Sequence, residues 1–240
     1  MRPEQTRRRH FHEELDALQN RLLAMAGLVE EIVKVGVEAF LQRDGDAAEW
    51  AKREDDRIDQ LEVEIDERGF ELLALHQPMA RDLRLVMSAL KVSNDLERVG
   101  DHGVNIAKAA KRLAEMPGMP SIPELSEMAE IARGMLGDAL ASYVSRNPGT
   151  ARMVCLRDEK VDGLRRSLYR ILVTHMLEEP KRISPSLEIL LVAQNLERIA
   201  DLSTNIAEDV VFLVEGQTIK HHPDSRASDE EDDEEPSGAR

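Results

Sequence analysis

The sequence predicts an all-α fold of two tandem three-helix bundles related by internal duplication. Three observations carry this reading. Apolar residues make up 42% of the 240 residues but aromatic ones only 3%, so the core must be built from Leu, Ile, Val, Ala and Met, the residues of packed helices. These residues recur at the three-and-four spacing of amphipathic helices. Finally, NLERIADLSTNIAED at residues 195–209 repeats DLERVGDHGVNIA at residues 95–107 with an offset of 100. Leu96, Glu97, Arg98, Asp101 and Asn105-Ile106-Ala107 match Leu196, Glu197, Arg198, Asp201 and Asn205-Ile206-Ala207. A second match, Asp55–Asp59 with Asp158–Asp162, has an offset of 103, so each half carries two matched segments joined by a connection of different length.

Taken in order, residues 1–10 read as a flexible basic N-terminus. A first helix runs from Phe11 to about Gln42 through Leu15, Leu18, Leu22, Met25, Val29, Ile32, Val33, Gly36 and Phe40. Asp44 and Asp46 are both suitable N-caps for a second helix, which passes Ile58, Leu61, Ile65, Phe70 and Leu73 to about His76. Pro78 suits the first position of a third helix, which continues past Val86, Leu90, Leu96 and Ile106 to about Glu115. MPGMPSIPEL, residues 116–125, holds three prolines and a glycine and breaks the run, separating a first bundle at 11–116 from a second at 117–218. The pattern then restarts: Glu124 to Ser145, Asn147-Pro148 to near Glu178, and Ser184-Pro185 to about Glu215. Residues 219–240 read as a disordered acidic tail.

Charge narrows the function classes. The formal net charge is −15, of which −6 lies in residues 221–240, where Asp224 and Asp229 to Glu235 face only Arg226 and Arg240. The body keeps about −9, which argues against nucleic acid as the main partner. Cys155 is the only cysteine, so neither an intramolecular disulfide nor a cysteine zinc site can form, as expected of a reducing, cytoplasmic setting. The basic start runs into His and Glu without the apolar region of a secretory signal, and no window reaches the roughly 18 apolar residues of a membrane span. Any membrane association is therefore expected to be peripheral, through partners.

The repeated segments carry acids four residues apart: Asp55 with Asp59, Glu97 with Asp101, Asp158 with Asp162, and Glu197 with Asp201. On a helix that spacing puts both side chains on one face, about 40° and one turn apart, where like charges repel. Residues equidistant from the turn of an antiparallel hairpin lie level. The midpoint between the first two pairs falls at Pro78 and that between the second two beside Pro180, so the acids of consecutive helices should meet. Four carboxylates converging with few cations among them suit hard divalent or trivalent metal ions, and Asn105 and Asn205, one turn further, could add amide oxygens. A single such pair is ordinarily a solvated face, and it is the fourfold occurrence that favours metal. Arg98 and Arg198 read as ion-pair partners holding the acidic face in register. His102 has no counterpart, Leu202 standing in its place, and reads as incidental, while His76 at a turn and His221-His222 lack ligand-like company.

Enzyme signatures are missing. There is no Glu-x-x-His pair of a di-iron bundle, no phosphate-binding glycine loop, no His-Glu-x-x-His and no Cys-His arrangement. A metal-dependent phosphohydrolase or phosphoryl-transfer enzyme stays as the alternative, because metal ions can generate a nucleophilic hydroxide.

FHEELDALQNRLLAMAGLVEE, DDRIDQLE, PMARDLRLVMSALKVSNDLERVGDHGVNIA, DEKVDGLRRSL and LLVAQNLERIADLSTNIAEDVVFLVEG together resemble the PhoU family over residues 11 to about 216, the doubled Glu/Asp-x-x-x-Asp motif being the most specific part. The resemblance implies tandem three-helix bundles with multinuclear metal sites. Asp55, Asp59, Glu97 and Asp101 would form one; Asp158, Asp162, Glu197 and Asp201 would form the other, with iron, zinc, manganese or magnesium as candidate ions. It also implies a non-enzymatic negative regulator of the phosphate-starvation response, signalling between the phosphate ABC transporter ATPase and a sensor histidine kinase. An accessory regulator of another phosphate transporter is the related alternative, and the long amphipathic helices are compatible with a homodimer.

Overall fold

The computed structural model describes residues 3–219, so His221-His222 and all but Ile219 of the tail expected at 219–240 lie outside the described residues. Among the described residues there are seven α-helices: α1 (Pro3–Gln42), α2 (Ala47–His76), α3 (Arg81–Ala114), α4 (Pro123–Ser145), α5 (Pro148–Cys155), α6 (Asp158–Glu178) and α7 (Ile183–Glu215). α1, α2 and α3 pack into one bundle and α4 to α7 into the other. α3 and α7, the most buried helices, lie against each other along the seam, and α1 also touches α4.

Four boundaries differ from the sequence expectation. Residues 3–10 are not a separate flexible segment but the first turns of α1. Pro3 stands at the helix start, where its missing N–H costs nothing, and the Glu, Gln and Arg residues that follow are helix formers. Pro78 does not open α3. Gln77 adopts a left-handed conformation (φ 46°) and its N–H caps α2 on the Leu73 carbonyl at 3.2 Å, so Pro78 acts as a stop just past that cap. The second helix of the second half is divided at Leu156 and Arg157, which keep right-handed backbone but tighten into three-residue bonds, Arg157 N–H to Val154 carbonyl at 3.0 Å and Lys160 N–H to Arg157 carbonyl at 3.1 Å. No Gly or Pro marks that turn, so the pattern could not show it. Finally, Pro180–Arg182 form a short 3-10 turn and α7 starts at Ile183, with Pro185 buried in its first turn. Asn147 does cap α5 as expected, its side-chain oxygen accepting from the N–H groups of Gly149 (2.9 Å) and Thr150 (3.2 Å).

The core is aliphatic. Leu18, Leu22, Met25, Ile32, Ile58, Ile65 and Leu96 are fully buried in the first bundle, and Leu196, Ile199, Ile206 and Val210 occupy the matching core stripe of α7. Gly36 lets α1 cross α3 closely, since a Cβ there would come 2.7 Å from the Gly103 carbonyl oxygen.

The seam between the bundles is held by residues that the repeat does not share. Arg112 of α3 makes a paired contact to Glu188 of α7 at 2.9 and 2.8 Å, and Lys91 reaches the buried Asp209 at 3.1 Å. Their matching positions are Phe212, Ser88, Leu191 and Ala109. His102 is likewise a seam residue and not incidental: its Nδ1 lies 2.9 Å from Asn195 Oδ1. Asn195 spends its amide on the Leu191 carbonyl at 2.7 Å, which leaves the oxygen to accept and assigns the proton to His102 Nδ1. Substituting His102→Leu, the residue of the other half, should therefore destabilise the protein by about 1 kcal/mol in urea denaturation. Unchanged or increased stability would show that this bond does not help hold the seam.

Candidate functional site

The hairpin expectation places the acids on neighbouring helices, and the electrostatics of the folded chain agree. In the first bundle α2 supplies Asp55 and Asp59, and α3 supplies Glu97 and Asp101. Burial pushes the Asp55 carboxyl up to about 6, with Asp101 and Asp59 adding to the rise and Lys108 opposing it. Burial again, then Asp101, Glu62, Asp59 and Asp55, push Glu97 up to about 7. Asp55 and Glu97 are half-buried while Asp59 and Asp101 are exposed, so the cluster opens to solvent on one side. The close approach depends on a small residue. A Cβ at Gly100 would lie 3.1 Å from Ile58 Cδ1 and 3.5 Å from Asp55 Oδ1, and Ala200 stands at the matching place on α7.

In the second bundle α6 supplies Asp158 and Asp162, and α7 supplies Glu197 and Asp201. Asp158 is pushed up to about 6 by burial and then by Asp201, Asp162, Glu197 and Glu208. Glu197 is also raised by burial, but Arg165 and Arg198 hold it back. Here more cations stand among the acids than the sequence suggested, while Arg198 pairs with the acidic face as expected. Arg165 Nε lies 3.1 Å from Glu197, Arg198 3.1 Å from Asp201 and Arg166 3.8 Å from Asp162. Arg98, the repeat partner of Arg198, pairs instead with Asp95 at 3.5 Å and leaves the first cluster uncompensated from that side.

Residues missed from sequence explain this asymmetry. Glu62, one turn past Asp59, is a fifth acid of the first cluster, and its carboxyl is raised by burial. Its match at an offset of 103 is Arg165. Glu208 is a fifth acid of the second cluster, and its match at an offset of 100 is Lys108, the cation facing Asp55. The signal available was the ladder of acids at three- and four-residue steps: Asp55, Asp59, Glu62 and Asp66 on α2. Asn105 is exposed and Asn205 half-buried, each one turn past its aspartate. His76 has company after all, its Nε2 lying 3.0 Å from Glu14, where it ties the end of α2 to α1 far from either cluster.

Whether these residues suit a metal turns on the donors. As the side chains stand, no three His, Cys, Asp or Glu among the described residues close on one point as a ready-made metal site. The donor chemistry nonetheless fits hard cations: the ligands are carboxylate oxygens, presented from two helices, and burial, reinforced by the neighbouring acids, raises Asp55 and Asp158 to about 6 and Glu97 to about 7, where a bound cation would favour the ionised form. The first cluster fits better, since the arginines of the second already occupy part of its charge. Among the described residues no helix is long and apolar enough to cross a membrane.

Comparison with known proteins gives one result. A PhoU domain is matched twice, over residues 22–110 and 125–210. The phosphate-specific transport system accessory protein PhoU homolog of Clostridium acetobutylicum is 35% identical over 213 residues, 88% of this chain and 97% of that protein. The protein of the same description from Pseudomonas aeruginosa is 37% identical over 212 residues, 88% of either chain. Among solved structures, PhoU from Pseudomonas aeruginosa superposes with a TM-score of 0.84 at 38% identity, covering 86% of this chain and 100% of that one. The phosphate transport system regulatory protein PhoU from Streptococcus pneumoniae superposes with a TM-score of 0.80 at 31% identity, covering 87% and 98%.

Proposed function

Because the chain belongs to the PhoU family, we propose that it is a cytoplasmic, non-enzymatic negative regulator of the phosphate-starvation response. In this reading it links the phosphate ABC transporter ATPase to its sensor histidine kinase and modulates phosphate uptake. The observation that carries the reading is the family match over both repeats, whose relatives are described as accessory and regulatory proteins of phosphate transport. Asp55, Asp59, Glu97 and Asp101, and likewise Asp158, Asp162, Glu197 and Asp201, hold divalent or trivalent metal ions, with Asn105 and Asn205 as auxiliary oxygens. Bound there, an ion neutralises the repulsion of each cluster and changes the charge that the outer faces of α2–α3 and α6–α7 present to a partner.

The test uses cells lacking the gene and complemented with the full chain. Phosphate-starvation genes should be derepressed in the deletion and silenced again by the wild type. Unchanged expression in the deletion would sink the regulatory reading. The full chain should also retain the transporter ATPase and the kinase in a pull-down from phosphate-replete cells. Metal-dependent turnover of a phosphate ester that Glu97→Gln abolishes would replace the adaptor with a hydrolase.

A further inference from the structure

Arg43 and Arg146 occupy the same place in the two halves, at an offset of 103, each left-handed just past the first helix of its bundle (φ 57° and 53°). The Arg43 guanidinium donates to the carbonyls of Leu113, Met116 and Pro117, closing the C-terminal end of α3. The match of Leu113 is Leu213 near the end of α7. There the carbonyl accepts from Arg84 Nε of the other bundle, at 3.3 Å, and not from Arg146. The duplicated arginine has been displaced from its structural task. Arg146 instead lines, with Arg81, Arg84, Leu85, Leu213 and Val214, a cavity of about 350 Å³.

That cavity is cationic and open to an anion. Among the described residues Arg81 and Arg146 have no acidic partner. Two neighbouring acids of α7 are engaged, Glu215 with Arg152 at 2.8 and 2.7 Å and Asp209 with Lys91. The chain leaves α7 at this same place. Gly216 has a positive φ of 73°, and a Cβ there would lie 3.3 Å from Arg84 Nη1, so the backbone passes directly over the guanidinium. Ile219, the last described residue, packs on the core. Ten residues later comes Asp229, the first of seven consecutive acids ending at Glu235.

We propose that the acidic run Asp229–Glu235 docks intramolecularly in the Arg81–Arg84–Arg146 cavity at the end of the α3–α7 seam. Ten residues can span up to about 33–36 Å, so the length of chain after Ile219 suffices for the run to reach a cavity lined by Leu213 and Val214. Tethering of this length supplies an effective concentration on the order of millimolar, and carboxylates on guanidinium forks are the stronger class of hydrogen bond. The docked run bridges α3, α7 and Arg146 just past the end of α4, and excludes other anionic groups from that end of the molecule.

The experiment uses the full chain with Cys155→Ser and Ser228→Cys, a nitroxide on the new thiol, and signals of the uniformly ¹⁵N-labelled protein. Backbone amides of Arg84, Leu85, Arg146 and Leu213 should broaden at low salt. They should recover in 1 M salt, where the Debye length is about 3 Å. They should also recover in two independent variants, Arg81→Gln/Arg146→Gln and the chain whose seven acids are converted to amides. Equal broadening in both variants would mean that the tether alone brings the label close, and would overturn the proposal. So would broadening in a mixture of spin-labelled ¹⁴N chain with unlabelled ¹⁵N chain, which would place the run on a second copy. Recovery on adding inorganic phosphate at matched ionic strength would assign the cavity to a small oxyanion and remove the tail as its occupant.

Discussion

Metal-free protein should melt at progressively lower temperature as the pH is raised from 5 to 8. Asp55 and Asp158 start from 3.8 and Glu97 from 4.5, and folding moves them to about 6, 6 and 7. Between the unfolded and folded values the native state holds protons that the unfolded chain has released. Stability then falls with pH, because its slope follows the protons bound by the unfolded state minus those bound by the native one. The contribution is fully present below about pH 4 and is lost as the pH passes through 6 to 7. A bound cation reverses the sign of the problem, since it ionises the carboxyls and replaces their repulsion with attraction. Saturating divalent ion should thus raise the melting temperature little at pH 5 and strongly at pH 8, where a ligand at a hundred times its Kd contributes about 2.7 kcal/mol. The measurement is thermal denaturation of the full chain across this range, with chelator and with each ion. Asp55→Asn/Glu97→Gln should flatten the metal-free decline. A metal-free melting temperature that rises across the range, or a metal effect independent of pH, would contradict the account.

Much of this was legible in the sequence, for physical reasons. Helices announce themselves through period and caps, so α2, α3, α4 and α7 fall within a few residues of expectation, and Asn147 caps where its chemistry suggests. The duplication showed which acids to pair. What stayed hidden depends on neighbours rather than on local pattern. The turn at Leu156–Arg157 is built from residues that serve equally well inside a helix. His102 looked incidental because the repeat omits it, yet the omission has a cause. Residues that join two copies of a bundle across a seam need complementary partners, so Arg112 with Glu188, Lys91 with Asp209 and His102 with Asn195 must depart from the repeat. A duplicated sequence therefore reads its common fold from what matches and its domain interface from what does not.

The same logic yields the sharpest test of the two clusters. Each has four repeated acids, a fifth acid and at least one cation, but the extra charges are exchanged: Glu62 stands where the second half has Arg165, and Lys108 where it has Glu208. With Arg165, Arg166 and Arg198 on three of its acids, the second cluster should bind metal more weakly than the first. Arg165→Glu installs the residue of the first half, frees Glu197 and adds a carboxylate, and should tighten the second site. Glu62→Arg should weaken the first. Changes next to ligands commonly shift metal affinity by about tenfold to a hundredfold, and exchanging a charge of one sign for the other belongs at the upper end. Calorimetric titration of the full chain after chelation should resolve two classes of site in the wild type. In Arg165→Glu the two classes should converge, and in Glu62→Arg/Arg165→Glu the order of the sites should be inverted, with Asp101→Ala and Asp201→Ala identifying which class is lost. Arg165 is exposed on α6 and Glu62 half-buried at the solvent-facing edge of the first cluster on α2, so circular dichroism should remain that of the wild type. Affinities indifferent to both swaps would mean that metal, if it binds, does not sit on these carboxylates.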